Sequence, residues 1–199
     1  MKAAVLHGNE DVRYEEIATP EVRPDTVRVR VRACGICGSD IPRVLHNGAH
    51  NYPIVLGHEF AGVVDAVGEG VTEFKPGDPV VGDNAVSCGK CDACLAGDYA
   101  HCAHMLNVGT IDPVYDGAFC EYYIILAHHL HKIPEGISLK EASLAEPLSV
   151  AYGGIKHMNI TPNSTVAVIG TGCIGMAAVV LAKCLGAKTV WMIGRNESK

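Results

Sequence analysis

The sequence predicts a mixed β and α/β protein: a β-rich part over residues 1–155, then the start of a strand–helix–strand unit over residues 156–199. Three observations carry this expectation. Residues 27–32, VRVRVR, alternate strictly between apolar and charged. Short apolar runs separated by Gly, Pro and Asp then follow one another to about residue 138. Finally, residues 166–194 read VAVIG, TGCIGMAAVVLAKCLGA and KTVWMIG, a strand, a helix and a strand.

In VRVRVR, Val27, Val29 and Val31 share one face, and Arg28, Arg30 and Arg32 the other. The arginine row is read as the solvated face of a strand rather than a phosphate-binding stripe. VVDAVG, DPVVGDNAV and AFCEYYIIL supply further strands, whose spacing suggests a partly closed barrel or a small sandwich. Ser138 and Glu141 make a capping-box pattern, and Pro147 suits the first turn of the helix that follows. The boundary between the two parts is expected at 155/156, within a transition at 150–160, and no internal repeat or low-complexity segment interrupts either.

Hydrophobic residues make up 48% of the 199 and charged residues 19%, an ordinary globular composition. With a formal charge of −6 and no block of like charges, nucleic acid and anionic membrane are excluded as main partners. The opening MKAAVLHGNEDVRYEEI reads as neither a signal peptide nor a membrane span, which predicts a cytoplasmic protein. Disulfides rarely persist there, so the nine cysteines point to metal or buried thiols.

Cys88, Cys91, Cys94 and Cys102 follow the spacing C-x2-C-x2-C-x7-C. The short gaps let successive thiolates face one centre and the longer arm closes a tetrahedron, as in a structural zinc site. A bacterial iron–sulfur pattern opens the same way but closes after three residues with Cys-Pro, whereas here Ala103 follows Cys102. A base-reading finger is disfavoured because the lobe sets only Lys90 against Asp92 and Asp98.

A second set of candidate ligands, Cys37, His58, Glu59 and Glu146, is scattered as the ligands of open catalytic sites are. Cys37 lies in CGICGSD, where a glycine turn would aim a thiolate into a cleft, and His58 and Glu59 lie in GHEFAGVVDAVG, among glycines that permit close backbone approach. The latter stretch resembles the G-H-E-x2-G-x5-G signature of the zinc-containing medium-chain alcohol and polyol dehydrogenases, and the four-cysteine lobe lies where that family carries its structural zinc. The resemblance covers essentially the whole chain and is nearest to the polyol-phosphate branch, with the sorbitol-type enzymes next.

This resemblance implies a GroES-like β-barrel catalytic domain followed by a Rossmann domain, and two zinc ions per chain, one structural and one catalytic. It implies that Cys37, His58 and Glu146 belong to the catalytic zinc site, with Glu59 either ligating directly or exchanging with Glu146 and a water. Ser39 matches the hydroxyl that relays the substrate proton, and Asp40 the carboxylate that orients a ligand histidine. Cys34 is not a family ligand and reads as a small buried residue. The implied activity is hydride transfer between a small-molecule polyol or polyol phosphate and NAD(P), by a homo-oligomer when full length. The alternatives are a catalytically silent zinc-binding fragment and a family member acting on another secondary alcohol such as sorbitol.

Gly170, Gly172 and Gly175 form G-x-G-x-x-G directly after an apolar strand, a dinucleotide fingerprint in this context. Cys173, inside that loop, is read as a small filler. At the end of the next strand Gly194 stands where NAD enzymes place a carboxylate, and Arg195 follows. A missing carboxylate and a guanidinium suit a 2′-phosphate, which favours NADP over NAD. Only about two of the six strands of a dinucleotide domain are expected, so the chain reads as truncated.

In AHHLHKIP, His129 and His131 are expected to be surface histidines near a turn. His46 and His50 flank the expected cleft and read either as contacts to substrate hydroxyls or as loop packing. Arg43 reads equally as a contact to a substrate phosphate or as a surface arginine on a short helix capped by Ser39.

Overall fold

The computed structural model describes residues 1–49, 51–109 and 116–195. Its contacts divide the chain into two compact units, Met1–Leu144 and Ala145–Lys199.

The first unit opens with β1 (Lys2–Gly8), β2 (Asp11–Glu16) and β3 (Thr26–Gly35). The short helix α1 (Asp40–Pro42) runs into a single wide turn, Arg43–Asn47, followed by β4 (Ile54–Val55) and β5 (Glu59–Val67). Then come β6 (Pro79–Gly82), β7 (Ala85–Val86), helix α2 (Asp92–Leu95) and β8 (Leu106–Asn107). The unit ends with β9 (Tyr122–Leu126), β10 (Leu130–Lys132) and helix α3 (Leu139–Ala142). Five strands form one sheet in the order β10-β6-β5-β3-β9, three form another in the order β2-β1-β4, and β7 pairs β8. An isolated bridge between Ala3 and Cys120 links β1 to the segment leading into β9. Among the described residues the hydrogen-bonded circuit is not closed, in keeping with a partly closed barrel.

The alternation of VRVRVR explains why β3 occupies the interior of the large sheet. Val27 and Val29 are fully buried against Phe60, Val64, Val80 and Ile125, while Arg30 and Arg32 are exposed. Removing each valine side chain from water stabilises the fold by about 1.5–3 kcal/mol. Arg28, half-buried, instead pairs with Asp65 of β5 at 2.7 Å. Phe60 and Tyr123 meet edge-on at 5.0 Å between ring centres, across the strand that separates β5 from β9. The capping box at α3 forms as the sequence indicates: Ser138 Oγ accepts from Glu141 N and Glu141 Oε2 accepts from Ser138 N.

Two sequence expectations in this unit are corrected. His129 is buried, not on the surface, because a tight turn at Ala127–His129 tucks its ring inward; His131, on the edge strand β10, is exposed as expected. Ser39 precedes α1 but makes no side-chain cap, since its backbone is already helical and its hydroxyl is engaged elsewhere.

The second unit comprises α4 (Ala145–Ile155), β11 (Thr165–Ile169), α5 (Cys173–Cys184) and β12 (Thr189–Ile193). β11 and β12 pair in parallel, with α5 as the crossover between them. Helix α4 was expected with the first part; instead Ile155 is buried with Val166, Ala182 and Ala187, which is why the division falls after Leu144. Pro147 is buried in the first turn of α4, where its missing N–H costs nothing.

Candidate metal centres and cofactor loop

The lobe after β7 brings its four cysteines together. Their sulfurs all lie within 4.8 Å of one another, with Cys91 Sγ 3.5 Å from Cys94 Sγ and 3.9 Å from Cys102 Sγ. A tetrahedron with metal–sulfur bonds of about 2.3 Å has edges of about 3.8 Å, so a single zinc ion fits, whereas an iron–sulfur cluster would hold the thiolates further apart. None of these thiols is joined in a disulfide. Backbone N–H groups converge on the sulfurs, Cys88 N on Cys102 Sγ at 3.3 Å and His104 N at 3.4 Å. Backbone hydrogen bonds from Cys94 and Ala103 lower the Cys91 thiol to about 6, while burial raises Cys94 to about 12.

The second cluster is assembled by the antiparallel pairing of β3 with β5, in which Gly35 lies opposite Glu59. Cys37 Sγ, a nitrogen of His58 and a carboxylate oxygen of Glu59 come within 4.8 Å of one another. Adjacent residues of a regular strand face opposite ways. Here β5 begins only at Glu59, and Gly57, at φ +100°, turns the preceding chain so that His58 and Glu59 both reach the cluster. A β-carbon on Gly57 would stand 2.7 Å from the Phe119 ring. A β-carbon on Gly35 would collide with the Glu59 carboxylate, so this glycine clears the space the carboxylate occupies. Sequence reasoning missed Gly35; its signal is a glycine at a strand end placed opposite a buried acid.

His58 and Glu59 are buried, and so is Asp40 beneath them. Asp40 Oδ2 accepts the Cys37 N–H at 3.0 Å, and Ser39 N approaches Cys37 Sγ at 3.5 Å. His58 Nδ1 lies 3.9 Å from Asp40 Oδ1, and neither atom has a hydrogen-bond partner. Buried polar atoms left this way are costly, and a thiol, an imidazole and a carboxylate are the donor set zinc takes in open sites. These residues fit the ion. Ser39 Oγ accepts a hydrogen bond from Arg43 Nη1 at 2.7 Å. The neighbouring thiols Cys34 and Cys120 are each pushed up to about 12 by burial, which suits inert core cysteines. Glu146 lies in the second unit as the second residue of α4, where its carbonyl accepts from Ser149 Oγ. His46 lies in the last part of the wide turn and its carbonyl accepts from Asn9, while His50 lies outside the described residues.

In the second unit Gly170 and Gly172 lie in the turn between β11 and α5, and Gly175 lies in the first turn of α5. Gly170 has φ +120°, which favours glycine, and a β-carbon on Gly175 would strike the Gly170 carbonyl. That leaves the α5 N-terminus tight against the strand, the geometry that presents N–H groups to a phosphate. Cys173 is exposed at the head of α5 rather than filling space. Gly194 and Arg195 follow β12, both exposed, and a β-carbon on Gly194 would meet the Thr171 side chain.

Residues 23–135 match the alcohol dehydrogenase GroES-like domain, and the chain belongs to that family. It is 39% identical over 194 residues to a sorbitol dehydrogenase of Bacillus subtilis, covering 96% of this chain and 54% of the relative. The crystal structure of galactitol-1-phosphate dehydrogenase from Escherichia coli superposes with a TM-score of 0.92 at 38% identity, over 100% of this chain and 57% of that one. A protein of zinc-binding dehydrogenase type from Sinorhizobium meliloti 1021, bound to NADP, gives 0.90 at 34% identity, over 99% and 57%. The chain thus spans about half the length of the relatives it matches. Among the described residues no helix is long and apolar enough to cross a membrane.

Proposed function

We propose that the complete protein is a zinc-dependent oxidoreductase that transfers a hydride between a polyol or polyol phosphate and NAD(P). In this reading the chain carries two zinc sites, structural and catalytic, and its second unit begins a Rossmann dinucleotide-binding domain. The observation that carries it is the convergence of Cys37, His58 and Glu59 above a buried Asp40.

Bound at that cluster, zinc supplies the Lewis acidity that lets an alcohol lose its proton near neutral pH. Cys37, His58 and Glu59 would hold the ion, and Glu146 is the further carboxylate the family resemblance assigns, either ligating or exchanging with Glu59. Asp40 orients the His58 ring. Ser39 takes the proton: a guanidinium can only donate, so the Arg43 bond engages one Ser39 lone pair and leaves the other lone pair and the hydroxyl hydrogen for a relay. The substrate would pass that proton to Ser39 and thence to water, and a bound nicotinamide would supply the hydride acceptor. Gly170, Gly172 and Gly175 would carry the cofactor pyrophosphate. Gly194 and Arg195 support NADP over NAD, as does the NADP in one solved relative. Nine unpaired cysteines support a reducing, cytoplasmic setting.

The test is elemental analysis of the wild-type chain and Cys37→Ala, joined to turnover of the complete protein with galactitol 1-phosphate and sorbitol. Two zinc ions falling to one, with turnover abolished and little unfolding, is the expected result. Near-wild-type turnover in Cys37→Ala overturns the reading.

A further inference from the structure

The relatives include an enzyme named for a neutral polyol and one named for a polyol phosphate, and the geometry around Arg43 discriminates between these classes. Arg43 opens the wide turn Arg43–Asn47, a backbone form frequent at functional sites. Its guanidinium is half-buried, donates to Ser39 Oγ at 2.7 Å through Nη1, and lies 3.6 Å from Asp40 Oδ1. The cation is therefore anchored directly on the hydroxyl of the proposed proton relay instead of sweeping through solvent. Both anchoring contacts use Nη1. The Nε–Nη2 edge, which matches two oxygens of a phosphate, makes no hydrogen bond within the described residues. Arg43 also lines a cleft of about 400 Å³, together with Ser39, Pro42, Asn47, Gly48 and Ala49. Arg43 is the one charged side chain among those lining residues. Gly48, at φ +68°, brings bare backbone to the cleft wall.

We propose that Arg43 is the specificity-determining residue of this site and that its ligand is a polyol phosphate, with the phosphate ester seated in the Arg43 cleft and a free hydroxyl reaching Ser39. A neutral polyol would leave the guanidinium edge without an anionic partner, whereas a phosphate pairs with two donors at once. Charge-assisted hydrogen bonds of this kind correspond to about tenfold or more in affinity. The inference rests on the dehydrogenase reading above and narrows it to one substrate class.

The test titrates the zinc-loaded chain with galactitol 1-phosphate, galactitol and galactonate, for wild type, Arg43→Gln and Arg43→Lys, with zinc content measured on every sample. The inference expects wild type to bind the phosphate ester at least about tenfold more tightly than galactitol. It expects Arg43→Gln to bring the two within about threefold of each other, while Arg43→Lys keeps part of the preference without distinguishing phosphate from carboxylate as sharply. Should Arg43→Gln lose its zinc, Arg43→Lys alone decides. A preference unchanged by both substitutions, or equal wild-type binding of galactitol, overturns the inference while the dehydrogenase reading stands. A wild-type chain that takes zinc only at the four cysteines overturns both.

Discussion

His58 Nδ1 faces Asp40 Oδ1 across 3.9 Å, both atoms buried and both without a hydrogen bond. The gap is about 1 Å longer than a hydrogen bond. Were His58 to hold a metal through its other ring nitrogen, Nδ1 would be left as the N–H donor, and a small rotation would bring it onto the carboxylate. Replacing the acid by an amide, Asp40→Asn, keeps the shape but removes that charge. We expect zinc affinity at the Cys37 cluster to fall about 10–100-fold while the four-cysteine zinc stays. Metal analysis after graded dialysis against chelator reads this out; simultaneous loss of both ions would refute it.

Gly35→Ala places a methyl group where the Glu59 carboxylate stands. Either the acid swings away or β3 and β5 separate locally, at a cost of about 1–3 kcal/mol. The expected phenotype is weakened metal retention at the Cys37 cluster, with far-ultraviolet circular dichroism unchanged and a modestly lower melting temperature. An unaffected metal content would show that Glu59 is not needed as a ligand.

Asp83 sits between two imidazoles, His129 Nδ1 at 3.8 Å and His131 Nε2 at 3.3 Å. His129 chiefly, and His131 after it, hold its carboxyl below the usual range against the opposing effect of burial. A lowered folded-state value stabilises the fold above the unfolded pKa of about 3.9 and is lost as pH falls through the lower folded value. Asp83→Asn should therefore be less stable than wild type at pH 5–7, by less than about 1 kcal/mol given the half-exposed carboxylate. Urea melts of the two proteins should converge at strongly acidic pH; a gap that widens there would contradict the assignment.

In the complete protein, Arg195→Asp installs a carboxylate at the end of β12 and removes a cation. It should lower kcat/KM with NADP by about tenfold or more and raise the NAD:NADP ratio. A ratio that does not move would place coenzyme choice elsewhere.

Much of this was legible because it depends on local pattern. The period-two valines fixed the buried face of β3, Ser138 and Glu141 announced their capping box, and the spacing of four cysteines within one short segment announced their cage. Other features depend on pairing distant in sequence. The clearance at Gly35 exists only once β3 lies against β5, and the burial of His129 depends on a turn whose residues look like an exposed histidine run. Helix α4 could not be assigned to its unit from its own residues, since the contact that decides it is Ile155 meeting Val166 and Ala182. For the same reason Ser39 read as a helix cap: its bond to Arg43 competes with capping and wins.

The two candidate metal cages differ in what must already be in place before they exist. One draws every donor from a single short loop, so a nascent or partly melted chain can still chelate through it. The other needs two strands in register and a left-handed glycine beside them. On gentle denaturation the ions should therefore depart in sequence, the thiol–imidazole–carboxylate ion first and the tetrathiolate ion last. A metal held there would thereby serve as an internal gauge of whether the sheet beneath it is intact.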